Sequence, residues 1–305
     1  MAKAMVQSIG KAMVQSSAEA ELETNADAIA NQLAWAAREL ARNSPTPELD
    51  AEVLLCHCLG QSRSYLRAWP ERKPDRKQLA QYHALIERRG RGEPVAYLTG
   101  LREFWSREFQ VTPSVLIPRP DSELLIELSL SLLDPEQTTH ILDLGAGSGI
   151  LAITLALELP QAKVLAVDLN PAALDIARAN AERLAAAGNL SLLASDWFNQ
   201  IPARKFDLIL SNPPYIAEND PHLQQGDLRF EPRPALVSAE NGLADIRNII
   251  TQAKDFLAPG APLLIEHGYN QAAAVAQLFA AHGYQHIQTR RDLSGQARVT
   301  LGTWN

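Results

Sequence analysis

The second part of the chain alternates short apolar runs with segments in which apolar residues recur at helical spacing. Helical spacing occurs in residues 150–157 and 171–187. Apolar runs with the length of buried strands lie at residues 140–144, 163–167, 190–194, 206–210 and 262–266. This alternation predicts an α/β domain with a doubly wound, mostly parallel sheet. Two final runs, 285–289 and 297–301, predict an antiparallel pair at the end of that sheet.

The first part of the chain shows only helical patterns. Apolar residues recur at helical spacing from Ala28 to Leu40, and two prolines, Pro45 and Pro47, end that run. Thr46 then caps a second helix, which has Pro47 in its first turn. Further helical segments lie at residues 62–68 and 75–89. Together they predict a small all-α domain over residues 25–96, with substrate docking as its expected role.

Two segments lie outside these domains. Residues 1–24 contain a direct repeat, since residues 3–8 recur as 11–16, and two copies are too few for a stacked repeat fold. We expect a disordered or frayed extension there. Residues 97–120 combine an aromatic-rich β-hairpin with a proline-containing linker, and the α/β domain covers residues 121–305.

The charge of the chain limits the partners that it can bind. Its 305 residues carry a net charge of −7, which disfavours binding to nucleic acid through bulk charge. Residues 63–107 hold a local excess of arginine and lysine. This stretch could face an RNA or an acidic partner, but solvated helix faces explain it slightly better.

The cysteines and the hydropathy pattern indicate the compartment. Cys56 and Cys58 flank His57, too close together for an ordinary disulfide and without distant partners for a zinc site. We therefore expect core residues on a helix, no metal site and a reducing compartment. No apolar run reaches membrane-spanning length and the N-terminus has no signal-peptide pattern, so we expect no membrane contact and a cytoplasmic protein.

A glycine-rich loop follows the first predicted strand of the α/β domain. It consists of Asp143, Leu144, Gly145, Ala146, Gly147, Ser148 and Gly149. Glycines at this position let the backbone turn tightly and approach a ligand. The same device serves dinucleotides, and from Gly147 the segment fits G-x-G-x-x-A with Ala152, so the loop alone does not identify its ligand. A glycine turn that binds nothing is the other reading.

Three acids near this loop narrow the choice of ligand. Asp168 ends the second strand, where an acid hydrogen-bonds ribose hydroxyls, and Asp196 precedes Trp197 after the third strand. The indole ring of Trp197 would seat an adenine. Asp143 could contact a ligand ammonium group. An adenosine with an amino-acid tail fits these groups better than a pyrophosphate, because Asp143 adds negative charge beside the loop.

The fourth predicted strand ends at a rigid polar corner. Asn212 is followed by Pro213, Pro214 and Tyr215, and neither proline can donate a ladder hydrogen bond. The backbone here is rich in acceptors and poor in donors, which suits a planar NH2 group better than an anion. A plain double-proline strand end is the other reading.

These residues together carry a resemblance to a known family. The glycine loop, Asp168, Asp196–Trp197 and the tetrapeptide 212–215 resemble the class I S-adenosylmethionine-dependent methyltransferases, whose fold is Rossmann-like, and the tetrapeptide marks the branch that methylates planar nitrogens. Residues 98–105, 116–121 and 230–232, with the C-terminal segment, resemble the peptide chain release factor glutamine methyltransferases. The resemblance covers the chain from about Ala28 onward.

The resemblance implies a reaction and a set of roles. The cofactor would be S-adenosyl-L-methionine, with S-adenosyl-L-homocysteine as product, and the partner a class 1 peptide chain release factor methylated on the glutamine of its GGQ motif. We expect the Asn212 side-chain oxygen and the Pro213 carbonyl to accept the two amide hydrogens. Tyr215 would pack on the amide and Phe104 would close its other side, with Pro214 in the same site. No dedicated general base is apparent.

Two other functions compete with this one. A nucleic-acid amino methyltransferase, acting on adenine N6 or guanine N2, would use the same chemistry, but it needs a basic groove and a recognition module. The acidic total and the small helical domain weigh against it, so we expect no direct binding to nucleic acid. A catalytically silent binding subunit is disfavoured, because no position of the cofactor loop or of residues 212–215 is visibly damaged.

Overall fold

The computed structural model describes residues 26–186 and 188–305, and it divides into two compact units, one ending at Thr99 and one beginning at Gly100. The extension predicted for residues 1–24 lies outside the described residues. Within the described part of the chain, no helix has both the length and the apolar character needed to cross a bilayer.

The first unit is helical, as its sequence pattern predicts. Asp75 caps the fourth helix in a reciprocal capping box with Gln78, and Gly60 ends the second helix with a positive φ of 62°. Cys58 packs in the core of this unit, where burial raises the pKa of its thiol to about 11. The helices are α1 (Ile29–Leu40), α2 (Pro47–Leu59), α3 (Arg63–Ala68), α4 (Arg76–Gly90) and α5 (Val95–Thr99).

The second unit begins with a two-stranded antiparallel hairpin, β1 (Leu101–Phe104) and β2 (Arg107–Gln110). Its two turn residues, Trp105 and Ser106, both have positive φ angles of 51° and 57°. Such angles match the right-handed twist of the strands that the turn connects.

A seven-stranded sheet forms the centre of the second unit, in the order β5-β4-β3-β6-β7-β9-β8. The five strands β3, β4, β5, β6 and β7 run parallel to one another. Strand β9 runs antiparallel to β7 and to β8. This arrangement confirms the predicted fold class. The strands are β3 (His140–Leu144), β4 (Lys163–Asp168), β5 (Leu190–Ala194), β6 (Leu208–Ser211), β7 (Pro262–Glu266), β8 (Gln285–Arg291) and β9 (Ala297–Thr303).

Helices cover both faces of this sheet, because side chains along each strand alternate between two apolar clusters. Ile141 packs in the cluster that includes α6 and α7, and the next residue, Leu142, packs in the cluster that includes α9 and α10. The longer helices of this unit are α6 (Glu123–Leu132), α7 (Ile150–Glu158), α8 (Pro171–Arg183), α9 (Ala244–Ala253) and α10 (Ala272–Ala281).

Several element boundaries differ from the sequence pattern by more than one residue or in register along the chain. The predicted strand 206–210 is β6 at Leu208–Ser211, and Phe206 forms only an isolated bridge with Leu257. The predicted helix 171–187 is α8, which ends at Arg183, and Ala185 beyond it has a positive φ of 59° that no helix continues. Both final strands are longer than predicted, because they pair with each other beyond their apolar positions.

Candidate functional site

A cavity of about 470 Å³ opens at the carboxyl edge of the parallel strands of the second unit. This is the edge at which open α/β sheets bind ligands, and the volume lies within the ordinary range for small-molecule sites. The residues that the sequence analysis proposed and that line this cavity are Gly145, Ala146, Gly147, Ser148, Asp168, Asp196, Trp197, Asn212 and Pro214.

The glycine loop lies against the ends of the neighbouring strands. Gly145 has a φ of 81°, and a Cβ atom there would lie 3.8 Å from the Trp197 ring and 4.0 Å from the Asn212 carbonyl oxygen. Gly149 has a φ of 84°, and a Cβ atom there would lie 2.7 Å from the Ile153 side chain. Gly145 is therefore favoured by its backbone conformation, since a Cβ atom there would make only ordinary van der Waals contacts, whereas Gly149 also allows the loop to pack on α7.

Asp168 fixes the conformation of this loop. Its Oδ2 atom accepts a hydrogen bond from the Gly147 backbone N–H at 2.8 Å, and its Oδ1 atom accepts one from the Asn170 N–H at 2.8 Å. Each carboxylate oxygen keeps further acceptor capacity. The side chain therefore holds the loop and also presents an acceptor to the cavity.

Asp143 lies behind the loop and is not among the described residues that line the cavity. Its Oδ2 atom accepts from the Ala152 N–H at 3.2 Å, and its buried Oδ1 atom has no hydrogen-bond partner among the residues that the structure describes. Burial raises the pKa of this carboxyl to about 7. The orphaned oxygen is compatible with a ligand donor at the loop, and the contact with an ammonium group stays a prediction.

Two hydrogen bonds to side chains from other elements hold the corner after β6, and one of their partners, Ser122, also lines the cavity. The Asn212 amide nitrogen donates to Ser122 Oγ at 2.9 Å, and the Tyr215 hydroxyl donates to the Glu266 carboxylate at 3.3 Å. Pro213 is buried and is not among the described residues that line the cavity. Because the Asn212 nitrogen is engaged by Ser122, its side-chain oxygen is the amide atom left for a ligand.

Phe104 does not reach this site. Its side chain is 2% exposed, packs edge-on against Phe109 with ring centroids 6.3 Å apart, and belongs to one of the two apolar clusters of the second unit. In the hairpin, Phe109 is paired with Arg102, which lies two residues before Phe104 on the same strand. Phe104 and Phe109 therefore point to the same face of the hairpin. The structure therefore uses Phe104 for packing, and the expected contact with the substrate amide is corrected.

The linker before α6 supplies several residues that line the cavity. Among them is Arg119, whose guanidinium forms an ion pair with the buried Glu231 carboxylate. Glu231 also accepts a hydrogen bond from the Ile117 N–H at 3.0 Å. Glu231 therefore ties the linker to the segment after β6.

The charges that line the cavity favour a cationic ligand. Among the described lining residues, the charged side chains are Asp168, Asp196, Asp245 and Arg119. Three carboxylates outweigh one guanidinium that is already paired, and a pyrophosphate would be repelled. This balance agrees with the ligand type expected from the sequence.

Comparison with solved structures and family models agrees with this geometry. A methyltransferase from Pyrococcus furiosus superposes with a TM-score of 0.50 at 17% identity, over 73% of this chain and 98% of that one, which shows a shared fold. Residues 121–227 match the family model described as the methyltransferase small domain. The fold and the site thus define the second unit as a methyltransferase domain.

The relatives of the whole chain are more specific. Residues 31–100 match the family model described as the PrmC N-terminal domain. The release factor glutamine methyltransferase of Vibrio cholerae is 52% identical over 86% of this chain and 91% of that protein. Its counterpart in Escherichia coli K12 is 49% identical over 86% of this chain and 94% of that protein. The chain belongs to the family of release factor glutamine methyltransferases.

Proposed function

We propose that this protein transfers a methyl group from S-adenosyl-L-methionine to the side-chain amide nitrogen of the glutamine in the GGQ motif of class 1 peptide chain release factors. The observation that carries the proposal is the Asn212 amide, whose nitrogen is held by Ser122 at 2.9 Å beside the glycine-loop cavity. Membership of the family supports the same substrate. A cytoplasmic location would follow from that partner.

The cavity residues fit S-adenosylmethionine as the methyl donor. The glycine loop offers close backbone approach, Asp168 and Asp196 offer acceptors for hydroxyl or amine groups, and the Trp197 ring offers an apolar face. The three lining carboxylates suit the positive charges of the donor. When bound, the donor supplies an electrophilic methyl group on a sulfonium sulfur.

The corner at residues 212–215 would orient the amide that accepts the methyl group. An amide nitrogen is a weak nucleophile, so it must be held in line with the bond that breaks. The Asn212 side-chain oxygen and the Pro213 carbonyl would accept its two hydrogens and stabilise the positive charge that develops on nitrogen. In the reaction the carbon–sulfur bond breaks, a nitrogen–carbon bond forms, and one amide proton leaves the nitrogen.

Tyr215 would support the amide without acting as its base. Burial and the nearby Glu266 carboxylate raise the pKa of the Tyr215 phenol above its ordinary value. The phenol therefore stays protonated at neutral pH, which is consistent with its donation to Glu266. Its ring remains the candidate for packing against the substrate amide.

Transfer of a labelled methyl group tests the substrate directly. We expect label on a class 1 release factor and none on the variant in which the GGQ glutamine is replaced, because only that glutamine presents the reacting nitrogen. Duplex DNA and tRNA, added as competing acceptors in the same mixture, should stay unlabelled. Label on nucleic acid but not on the release factor would favour the adenine or guanine methyltransferase alternative.

Removal of the Asp168 carboxylate should weaken donor binding. We expect Asp168→Ala to raise the Kd for S-adenosylmethionine by about 10- to 100-fold, since a hydrogen bond to a charged group contributes about 1.5–3 kcal/mol. Isothermal titration calorimetry measures the change. The control is Asp175→Ala, at a surface carboxylate on α8 whose side chain is 73% exposed. Equal affinities in both variants would exclude Asp168 from the donor site.

A further inference from the structure

A buried chain of hydrogen bonds extends from the Asn212 side chain into the core. Asn212 Nδ2 donates to Ser122 Oγ at 2.9 Å, and Ser122 Oγ donates to Glu266 Oε2 at 2.7 Å. Ser122 and Glu266 are both fully buried. The side chains come from three separate elements: the end of β6, the turn before α6 and the end of β7.

The direction of the hydrogen bonds in this series is set by its last member, Glu266. An ionised carboxylate can only accept hydrogen bonds, so Glu266 obliges the single Ser122 hydroxyl proton to point toward it. The Ser122 oxygen then accepts from its other neighbour, and that neighbour must present an N–H group. The Asn212 amide nitrogen therefore faces Ser122, and its oxygen faces the cavity.

The opposite direction would present the wrong atom to the substrate. If Glu266 were protonated, its O–H could donate to Ser122, and the Ser122 hydroxyl would be released to donate to the Asn212 oxygen. The amide would then turn its NH2 group to the cavity. The Asn212 NH2 group would then face the substrate NH2 group, and the Pro213 carbonyl alone would remain of the two proposed acceptors.

We propose that Ser122 and Glu266 are positioning residues that fix the Asn212 amide with its oxygen toward the substrate, and that the ionised form of Glu266 is the active one. This inference rests on the proposed function of the site. The two residues act through Asn212, and Glu266 also accepts from the Tyr215 hydroxyl through Oε1 at 3.3 Å. One buried carboxylate thus orients both polar side chains of the corner at residues 212–215.

The surroundings of Glu266 are suited to a change of charge near neutral pH. Burial, with a smaller contribution from Asp121, raises the pKa of this carboxyl to about 7, against the opposing effects of Ser122, Arg298 and Tyr215. Arg298 is itself held by Asp121 at 3.0 Å and by Asp292 at 3.3 Å. Turnover should therefore increase with pH through about 7, as Glu266 loses its proton and the chain takes its active direction.

Asp143 is a second buried carboxyl of the same unit whose pKa is raised to about 7. A pH dependence of the wild-type enzyme would not by itself distinguish the two groups. Glu266→Gln does distinguish them, because it keeps the shape of the side chain, removes the titrating group at this position and replaces one acceptor oxygen with an NH2 donor. We expect about a tenfold lower kcat in Glu266→Gln at pH 8, and loss of the increase in kcat through pH 7.

Ser122→Ala tests the middle of the chain against a matched control. Ser129 is also a fully buried serine of the α6 region, and its hydroxyl donates to the Leu125 carbonyl at 2.6 Å. We expect Ser122→Ala to lower kcat about tenfold, as the Asn212 amide loses its fixed orientation. Ser129→Ala should keep the wild-type kcat. Equal kcat values in the two serine variants, or an unchanged pH profile in Glu266→Gln, would overturn the inference.

A spectroscopic measurement separates this inference from the proposed function. In the full chain labelled with 15N-asparagine, the Asn212 side-chain NH2 signals are identified by their absence in Asn212→Ala. We expect them to shift between pH 6 and pH 8 in the wild type and to be insensitive to pH in Glu266→Gln. Signals that shift equally in both proteins would refute the role of Glu266, whatever the acceptor of the methyl group proves to be.

Discussion

Asn212→Ala is expected to lower the kcat for methyl transfer to a release factor by about 10²–10³-fold, which is the range for removing one oriented group that stabilises transition-state charge. The affinity for S-adenosylmethionine should stay within about threefold of the wild type, because the glycine loop and Asp168 remain. Asn212 Nδ2 bonds to Ser122 on the buried side, so its oxygen is the group lost from the cavity. Single-turnover kinetics and calorimetry measure the two quantities.

A half-buried asparagine provides the control for this change. Asn248 lies on α9, where its side-chain oxygen accepts from Gln252 Nε2 at 2.6 Å, and it is not among the described residues that line the cavity. Asn248→Ala should keep the wild-type rate. If Asn212→Ala also turned over within threefold of the wild type, the corner after β6 would not orient the reacting amide.

Gly242→Ala is expected to lower the free energy of unfolding by about 2–5 kcal/mol and to reduce turnover. Gly242 has a φ of 84°, and a Cβ atom there would lie 2.0 Å from the Tyr215 carbonyl oxygen and 2.8 Å from Gln271 Nε2. A positive φ costs an L-residue about 1–2 kcal/mol, and overpacking adds about 1–3 kcal/mol. Gln271 Nε2 donates to that same carbonyl at 3.0 Å, so the clash must displace Tyr215 or break its support.

Gly260 separates these two costs. It has a φ of 80°, and a Cβ atom there would meet nothing within 4 Å, so Gly260→Ala carries only the backbone strain. Denaturant unfolding of both variants should therefore show a larger loss in the free energy of unfolding for Gly242→Ala. Only that variant should also lose turnover, because only there is Tyr215 displaced. Equal losses of stability would mean that the Tyr215 carbonyl moves without cost.

The local sequence pattern was sufficient for most of the fold of the second unit. The strands at 140–144, 190–194 and 262–266 were predicted with their observed bounds, because each is a short, largely apolar run. The final strands were predicted too short, since the polar ends of β8 and β9 are held by pairing rather than by their own composition. The end of α8 was missed because nothing in the local sequence requires the positive φ of Ala185.

The predicted site residues also fall into those that the sequence could place and those that it could not. Most of the glycine loop, Asp168, Asp196, Trp197 and Asn212 could be placed at one cavity from sequence, because loops after parallel strands must converge at one edge of the sheet. Phe104 could not be placed by the same reasoning. It lies on a hairpin outside the sheet, and which face of that hairpin is buried depends on packing against distant residues.

What the sequence alone determined is the parallel α/β architecture and the set of strand ends that carry the site, because periodicity and strand order are local properties. Only the tertiary structure decided how that site is held. Ser122 and Glu266 are 144 positions apart, and their contact turns one amide oxygen toward the cavity. No local pattern encodes such a contact, because the direction of the hydrogen bonds depends on a charged carboxylate that is distant in the sequence.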